Sequence, residues 1–423
     1  MIRFYLHLDK HKTQWHSWHE LGRSRPWPAD PDAIGWRTTD FINQFQSLPG
    51  SENYFVFQEW HSDIPAHESG FYLSHHGNSK AMSECFGLST LMPTVRDQIN
   101  QGKLTLLVAF VFESFDGKLT MAEWQDKFCG HLTEIGITRA HSVKVMIGTW
   151  SDRMQQHQDP RVQWIYYPFF ETCVQVQARR MNITPSHWVA KPRPYKFLHL
   201  IRTPRQHRYL AAMCLEYLGV ADLSLRTWPH SWPGGGVGSL SMSPSGVYEI
   251  GLKNFSEFRK FVRNNKIASA SSHDSYQDLS GHNSGGPPDR WFGVAPWYSQ
   301  CQLDFINETH HCIGNSVFLT EKTFRSLCLG IPFVMLGSRQ SLVAIKELGY
   351  QTFDSVWSEY YDQETSPMHS VVRTCELIRD LCMPAPGNPD PLLNPRLENI
   401  VRHNQAVFWN RDHAQGLYNA LSA

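Results

Sequence analysis

Strand-like and helix-like runs alternate along most of this chain, and that alternation leaves few folds open. In the N-terminal half, IRFYLHLD from Ile2, YFVFQEW from Tyr54, LTLLVAFVFES from Leu104, VKVMIGTW from Val143 and VQWIYYPFF from Val162 are rich in β-branched and aromatic residues. They show little polar alternation, as strands buried on both faces of a parallel sheet do. Between them STLMPTVRDQINQ from Ser89 and TMAEWQDKFCGHL from Thr120 each open on a hydroxyl that can cap a helix. PSHWVAKPRPY, Pro185 to Tyr195, carries three prolines and reads as a linker.

A second alternating series follows. FLHLIR from Phe197, LSLRTW from Leu223, CQLDFINET from Cys301 and PFVMLG from Pro332 read as strands. RQHRYLAAMCLEYLG from Arg205, TEKTFRSLCLG from Thr320 and SRQSLVAIKELG from Ser338 read as helices ending at glycines. SVVRTCELIRDLC from Ser370 and a long segment from Leu397 to Leu421 read as two closing helices. Pro233–Gly246 and Ala268–Asp289 are Gly- and Ser-rich and read as surface loops. The expected fold is α/β, with a Rossmann-like domain over 1–185 and a second over 196–423. The last helix is free to pack back on the first domain.

Charge narrows the partners. Basic and acidic residues balance at 39 each, so no global field draws the chain to DNA or to an anionic membrane. Nine cysteines, an odd number with no CxxC pair, fit buried free thiols in a reducing compartment. The N-terminus lacks secretory-signal architecture, and no apolar run nears 20 residues, so the expected location is cytoplasmic, the host's cytoplasm if the chain is virus-encoded.

The chemistry concentrates between Phe305 and Gly337. Thr320 can cap the helix that follows it, which puts Glu321 in the first turn beside the positive end of the helix dipole, with Lys322 next to it. Amides at a helix start beside a lysine suit a phosphate, and a carboxylate there can accept from the vicinal hydroxyls of a ribose. Thr-Glu at a helix start is equally a plain capping arrangement. Glu308 ends the apolar run FINET and either lines a site or is structural. His310 and His311 are adjacent on an extended run and point to opposite faces, so they make poor joint metal ligands, and no metal or other cofactor is expected.

FLTEKTFRSLCLGIPFVMLG resembles the donor-binding segment of α1,3-fucosyltransferase-like enzymes, with Thr-Glu-Lys, a helix, Gly-x-x-Pro and an apolar strand. Together with FINETH, GYQTFD (Gly349–Asp354), SEYYD (Ser358–Asp362) and ENIVRHNQAVFWN (Glu398–Asn410), it resembles glycosyltransferase-like sequences carried by phages and bacteria. The resemblance covers about 120 C-terminal residues, and the helix RSLCLGIPF departs from the fucosyltransferase pattern, which leaves the sugar open. It implies two Rossmann-like domains facing each other across a cleft (the GT-B type) and a nucleotide-sugar donor. It places Glu321 on the ribose and Lys322 on the diphosphate, with Thr320 and Glu308 beside them. It also implies a phosphate contact from Arg202, Arg205 or Arg208. The general base would come from the N-terminal half: Glu59 first, then Asp152 and Glu113, with Asp63, Asp116 and Glu171 also at strand ends.

The function these features imply is metal-independent transfer of a sugar to an acceptor hydroxyl on a glycan, a metabolite or a modified DNA base. The alternatives are an inactive binding module of the same fold and another nucleotide-sugar enzyme such as an epimerase. Inversion or retention stays open.

Overall fold

A computed structural model describes residues 2–6, 55–59, 70–75, 91, 93–110, 121–152, 154, 158–201, 205–227, 247–264, 292–311 and 316–422. The described residues form two compact units. One takes those up to Val176 and those from Asp412 onward; the other runs from Gln177 to Arg411.

The first unit holds a six-stranded, all-parallel sheet. Its strands are β1 (Ile2–Leu6), β2 (Phe55–Glu59), β3 (Gly70–His75), β4 (Leu104–Phe110), β5 (Val143–Ile147) and β6 (Val162–Tyr166), in the order β2-β1-β3-β4-β5-β6. The α/β class with parallel sheets is as expected from sequence. β3, within GFYLSH, is an addition: it is too short and too polar at its end to stand out as a buried run. Helices α1 (Pro93–Asn100), α2 (Met121–Glu134) and α3 (Phe169–Arg180) follow or connect these strands, and the last turn of α3 already belongs to the second unit.

The core of this unit is aromatic. Trp124 and Phe128, one turn apart on α2, stack at 5.7 Å, and Phe110 of β4 meets both edge-on at 5.0 and 6.2 Å. Trp164 of β6 closes the cluster at 5.6 Å from each. The ring quadrupole favours these edge-on contacts over a face-to-face sandwich and adds to what area burial contributes. Arg161 finishes the C-terminus of α2 by donating to the carbonyls of Cys129 and Ile137, while Asp159 accepts from its Nε and Nη2. That pairing holds the Asp159 carboxyl down at about 2.

The second unit holds a four-stranded parallel sheet of β7 (Tyr195–Leu200), β8 (Ser224–Thr227), β9 (Cys301–Asn307) and β10 (Phe333–Leu336), in the order β10-β9-β7-β8. All seven residues of β9 are buried. Its helices are α4 (Gln206–Tyr217), α5 (Val247–Lys253), α6 (Ser256–Asn264), α7 (Ala295–Tyr298), α8 (Glu321–Leu329), α9 (Ser341–Glu347), α10 (Pro367–Cys382) and α11 (Arg396–Asn410). The chain leaves β7 toward β8 on one side and returns to β9 on the other, so the strand order reverses between β7 and β9. Open α/β sheets bind ligands at the carboxyl ends of strands at such a reversal.

The long closing helix expected from Leu397 to Leu421 is two helices. α11 ends at Asn410, extended backbone at Arg411 breaks it, and α12 (His413–Ser422) belongs to the first unit. There Lys144 donates to the Leu421 carbonyl and His413 lies 3.8 Å from the buried Glu171. The glycine-rich segments expected as loops lie outside the described residues.

α8 is clamped at its far end. Gly330 takes the left-handed conformation (φ 67°) that ends the helix. Gln405 and Trp409 of α11 donate to the Cys328 carbonyl at 3.2 and 3.3 Å, and a Cβ on Gly330 would collide with Gln405. Gly330→Ala therefore takes a conformation that costs a non-glycine residue about 1 kcal/mol and pushes the Gln405 amide off the Cys328 carbonyl, losing a hydrogen bond of about the same worth. Urea titration should show at least that loss, of order 2 kcal/mol, and an unchanged midpoint would refute this role for Gly330.

Candidate functional site at the carboxyl ends of β7 and β9

Two helix starts meet at this reversal, and they are built differently. α8 is saturated. Glu308, the residue after β9, is 1% exposed, and its carboxylate accepts four hydrogen bonds. They come from the amides of Thr309 and Thr320 at 3.0 Å each, and from the hydroxyls of Thr320 and Thr323 at 2.5 and 2.6 Å. Thr320 is the N-cap, as its sequence context predicts, and its oxygen also accepts from the Lys322 amide at 3.5 Å. The Lys322 ammonium donates to Thr309 Oγ1, Thr320 Oγ1 and Glu321 Oε1 at 2.9 to 3.0 Å. Glu321 and Lys322 keep 22% and 19% of their side chains exposed. Burial alone would raise the Glu321 carboxyl, but the ammonium of Lys322 and its hydrogen bond outweigh this and hold it below the ordinary carboxylate range.

α4 begins on cations. Its N-cap is Arg205, whose guanidinium can only donate; the first turn holds no acidic residue and carries His207 and Arg208. Acceptors are the favoured caps, and positive charge at the positive end of the helix dipole is unfavourable. Arg208, 3% exposed, sends Nε and Nη2 to the Glu308 carbonyl at 3.3 and 2.8 Å. Burial and the neighbouring Arg205 bring its guanidinium down to about 10. His207 Nε2 reaches the same carbonyl at 3.0 Å.

The tandem histidines divide between the two starts. His310 lies edge-on to Phe318 at 5.8 Å. His311 packs on His207 at 5.3 Å and on Tyr248 of α5 at 5.9 Å. Burial, then Arg205, Lys322 and Arg208, push His310 down to about 3, so all three cations act on one ring. Burial takes His311 down to about 4.

Thus Thr320, Glu321, Lys322, Arg205, Arg208 and Glu308 come together. Glu308 spends its oxygens inward, as an organiser of the α8 start. Arg202 lies outside the described residues, as do Glu113, Asp63 and Asp116. Glu59 is the last residue of the edge strand β2, in register with Leu6, whereas Asp152 is exposed in the turn after β5. Three strands lie between β2 and β5, so Glu59 and Asp152 stand about 19 Å apart at the usual strand spacing and cannot share one reaction centre. Glu171 is fully buried. Tyr248, His207 and His311 were not among the expected site residues. Tyr248 follows a Gly- and Ser-rich stretch whose sequence gives no sign of where it returns.

Behind α8, Ser326 donates to the buried Asp304 of β9, and burial raises that carboxyl to about 6. Asp362 of the SEYYD element accepts from the Leu342 amide at the start of α9, with burial raising it to about 7. Among the described residues, no three His, Cys, Asp or Glu side chains group as metal ligands, and no helix is long and apolar enough to cross a membrane. Comparison with family models, with curated proteins and with solved structures finds no match to this chain.

Glu308→Ala strands two amides and two hydroxyls at once and should cost about 3 kcal/mol in urea unfolding; a loss under about 1 kcal/mol would rule out the organising role. A second outcome concerns pH. His199, pushed down to about 3 mainly by burial, joins His207, His310 and His311 as rings held neutral. The unfolded chain protonates these four below about 6.5 and the folded chain does not, so stability falls as pH falls through that value. Asp304 and Asp362 oppose this, because the fold keeps their protons up to about 6 and 7. Near pH 5.5 the six groups leave the unfolded state about two protons richer, so the urea midpoint should drop between pH 7 and 5.5. A midpoint that rises on acidification would reverse this sign.

Proposed function

We propose that this chain is a glycosyltransferase of the GT-B type, with the nucleotide-sugar donor held by the second unit at the carboxyl ends of β7 and β9. The observation that carries this reading is the start of α4 at the reversal of the strand order: an arginine at the N-cap, where a helix ordinarily has an acceptor, and a second, Arg208, in the first turn. A diphosphate brings negative charge to that start and can accept from Arg205 in bidentate fashion. Lys322 then exchanges Glu321 for a phosphoryl oxygen, and the freed Glu321 accepts from the ribose hydroxyls. The cations neutralise the diphosphate as it leaves the sugar. The acceptor hydroxyl gives its proton to a general base, for which Glu59, Asp152 and Glu113 are the choices. The reaction needs no metal on this reading, since lysine and arginine do the charge neutralisation. The acceptor is a glycan, a small metabolite or a modified DNA base.

Lys322 already holds Glu321 and two threonine hydroxyls, and this self-sufficiency is what an inactive module of the same fold would also show. Donor binding followed by sugar release separates the two.

A thermal-shift panel of UDP-, GDP-, ADP- and dTDP-sugars tests the site. At about 100 times Kd a donor adds about 2.7 kcal/mol, which moves the midpoint by about 5 °C or more in a unit of this size. Arg205→Glu and Lys322→Glu should each abolish the shift. No response to any donor would sink the proposal.

A further inference from the structure

The tandem histidines lie where the resemblance assigned no role, and one of them has a fixed orientation. The single proton of the Tyr248 hydroxyl has two acceptors in reach, His311 Nδ1 at 2.5 Å and the His311 carbonyl at 3.5 Å, and the much shorter contact takes it. A phenol is a good donor and a neutral imidazole nitrogen is a strong acceptor, so the short contact is O–H to Nδ1. Burial keeps the ring neutral, with a single N–H. With Nδ1 accepting, that proton sits on Nε2. The neighbouring ring is fixed in the same way: a carbonyl only accepts, so His207 carries its proton on Nε2, toward the Glu308 oxygen 3.0 Å away.

His311 is half-buried, and among the described residues its Nε2 makes no hydrogen bond. Its ring rests on His207 in the first turn of α4, the turn that begins with Arg205 and Arg208. The groups that touch it are His207 on α4 and Tyr248 on α5, with Glu308 and His310 on its own segment; the arginines lie on the far side of His207 and act on it and on His310. Glu308 is turned inward by its four bonds.

We infer that Tyr248 holds His311 with its proton on Nε2, and that this N–H donates to a phosphoryl oxygen of the bound diphosphate, beside the arginines of α4. The inference rests on the anion site proposed above and adds to it a neutral, directional donor. A neutral donor fits there physically: it adds geometry without a further positive charge at a helix start that already carries two. Tyr248 is then a positioning residue, acting only through the ring.

Pyrophosphate and UDP are the probes, titrated calorimetrically into the full chain. Losing one hydrogen bond to a charged oxygen should weaken binding about tenfold or more. His311→Asn, which places its amide near Nδ1, should lose this factor. His311→Gln, whose amide reaches the place of Nε2, should retain most of the affinity. In histidine-labelled wild-type protein, long-range proton–nitrogen spectra should show His311 protonated at Nε2, with that nitrogen shifting as pyrophosphate is added. Tyr248→Phe should release the tautomer preference and weaken pyrophosphate binding. Wild-type affinity in His311→Asn, or His311 resonances that ignore saturating pyrophosphate, overturns the inference and leaves the arginine site standing. If His311→Asn does not fold, the wild-type resonances decide. If neither probe nor any other nucleoside diphosphate binds the wild type, the anion site itself is wrong and the inference falls with it.

Discussion

Glu308 is the hinge of the second unit. A carboxylate that is 1% exposed survives only when its oxygens are satisfied, and here two amides and two hydroxyls satisfy them. One of those amides and one hydroxyl belong to the cap of α8, so the bond that makes the charge tolerable also sets where α8 begins. Its backbone carbonyl takes Arg208 and His207, which fastens the start of α4 to the same residue. One residue after β9 thereby fixes two helix starts on the strands that flank the reversal.

The contrast between those starts organises the site. α8 has a hydroxyl cap, a carboxylate in its first turn and a cation engaged by that carboxylate. α4 has an arginine as cap, a second arginine behind it and no acid in its first turn. A helix start of the second kind goes against local preference, and such departures gather where a protein meets a ligand. On the proposed reading the saturated start supplies rigidity and the cationic one supplies the positive charge that a diphosphate meets. A diphosphate binding between them would rearrange Glu321 and Lys322, which are partly exposed, and leave Glu308 in place.

Much of the second unit was readable one residue type at a time. The apolar runs gave β7, β9 and β10, Thr320 gave the start of α8, and Gly330 gave its end. Other features resisted reading because their causes are remote in the chain. α11 and α12 look like one amphipathic run, and they separate where the chain passes from one compact unit to the other. Tyr248 reaches His311 across 63 residues, and nothing near either residue announces the pair. Asp362 serves the start of α9 from 20 residues downstream, so the SEYYD pattern carries no local sign of what its aspartate holds. Glu59 and Asp152 look alike in sequence, each an acid at a strand end, yet the strand order holds them apart.

Local chemistry was enough for the α/β class, the parallel character of the strands and the capping of α8, because periodicity, burial on both faces and a hydroxyl before a helix act over a few residues. Long-range packing had to settle the rest: that β7 and β9 are neighbours, that Glu308 turns inward, and that the cations of α4 stand beside the start of α8. Strand order is set by pairing between distant segments, and a short apolar run carries no mark of which other run it will lie against.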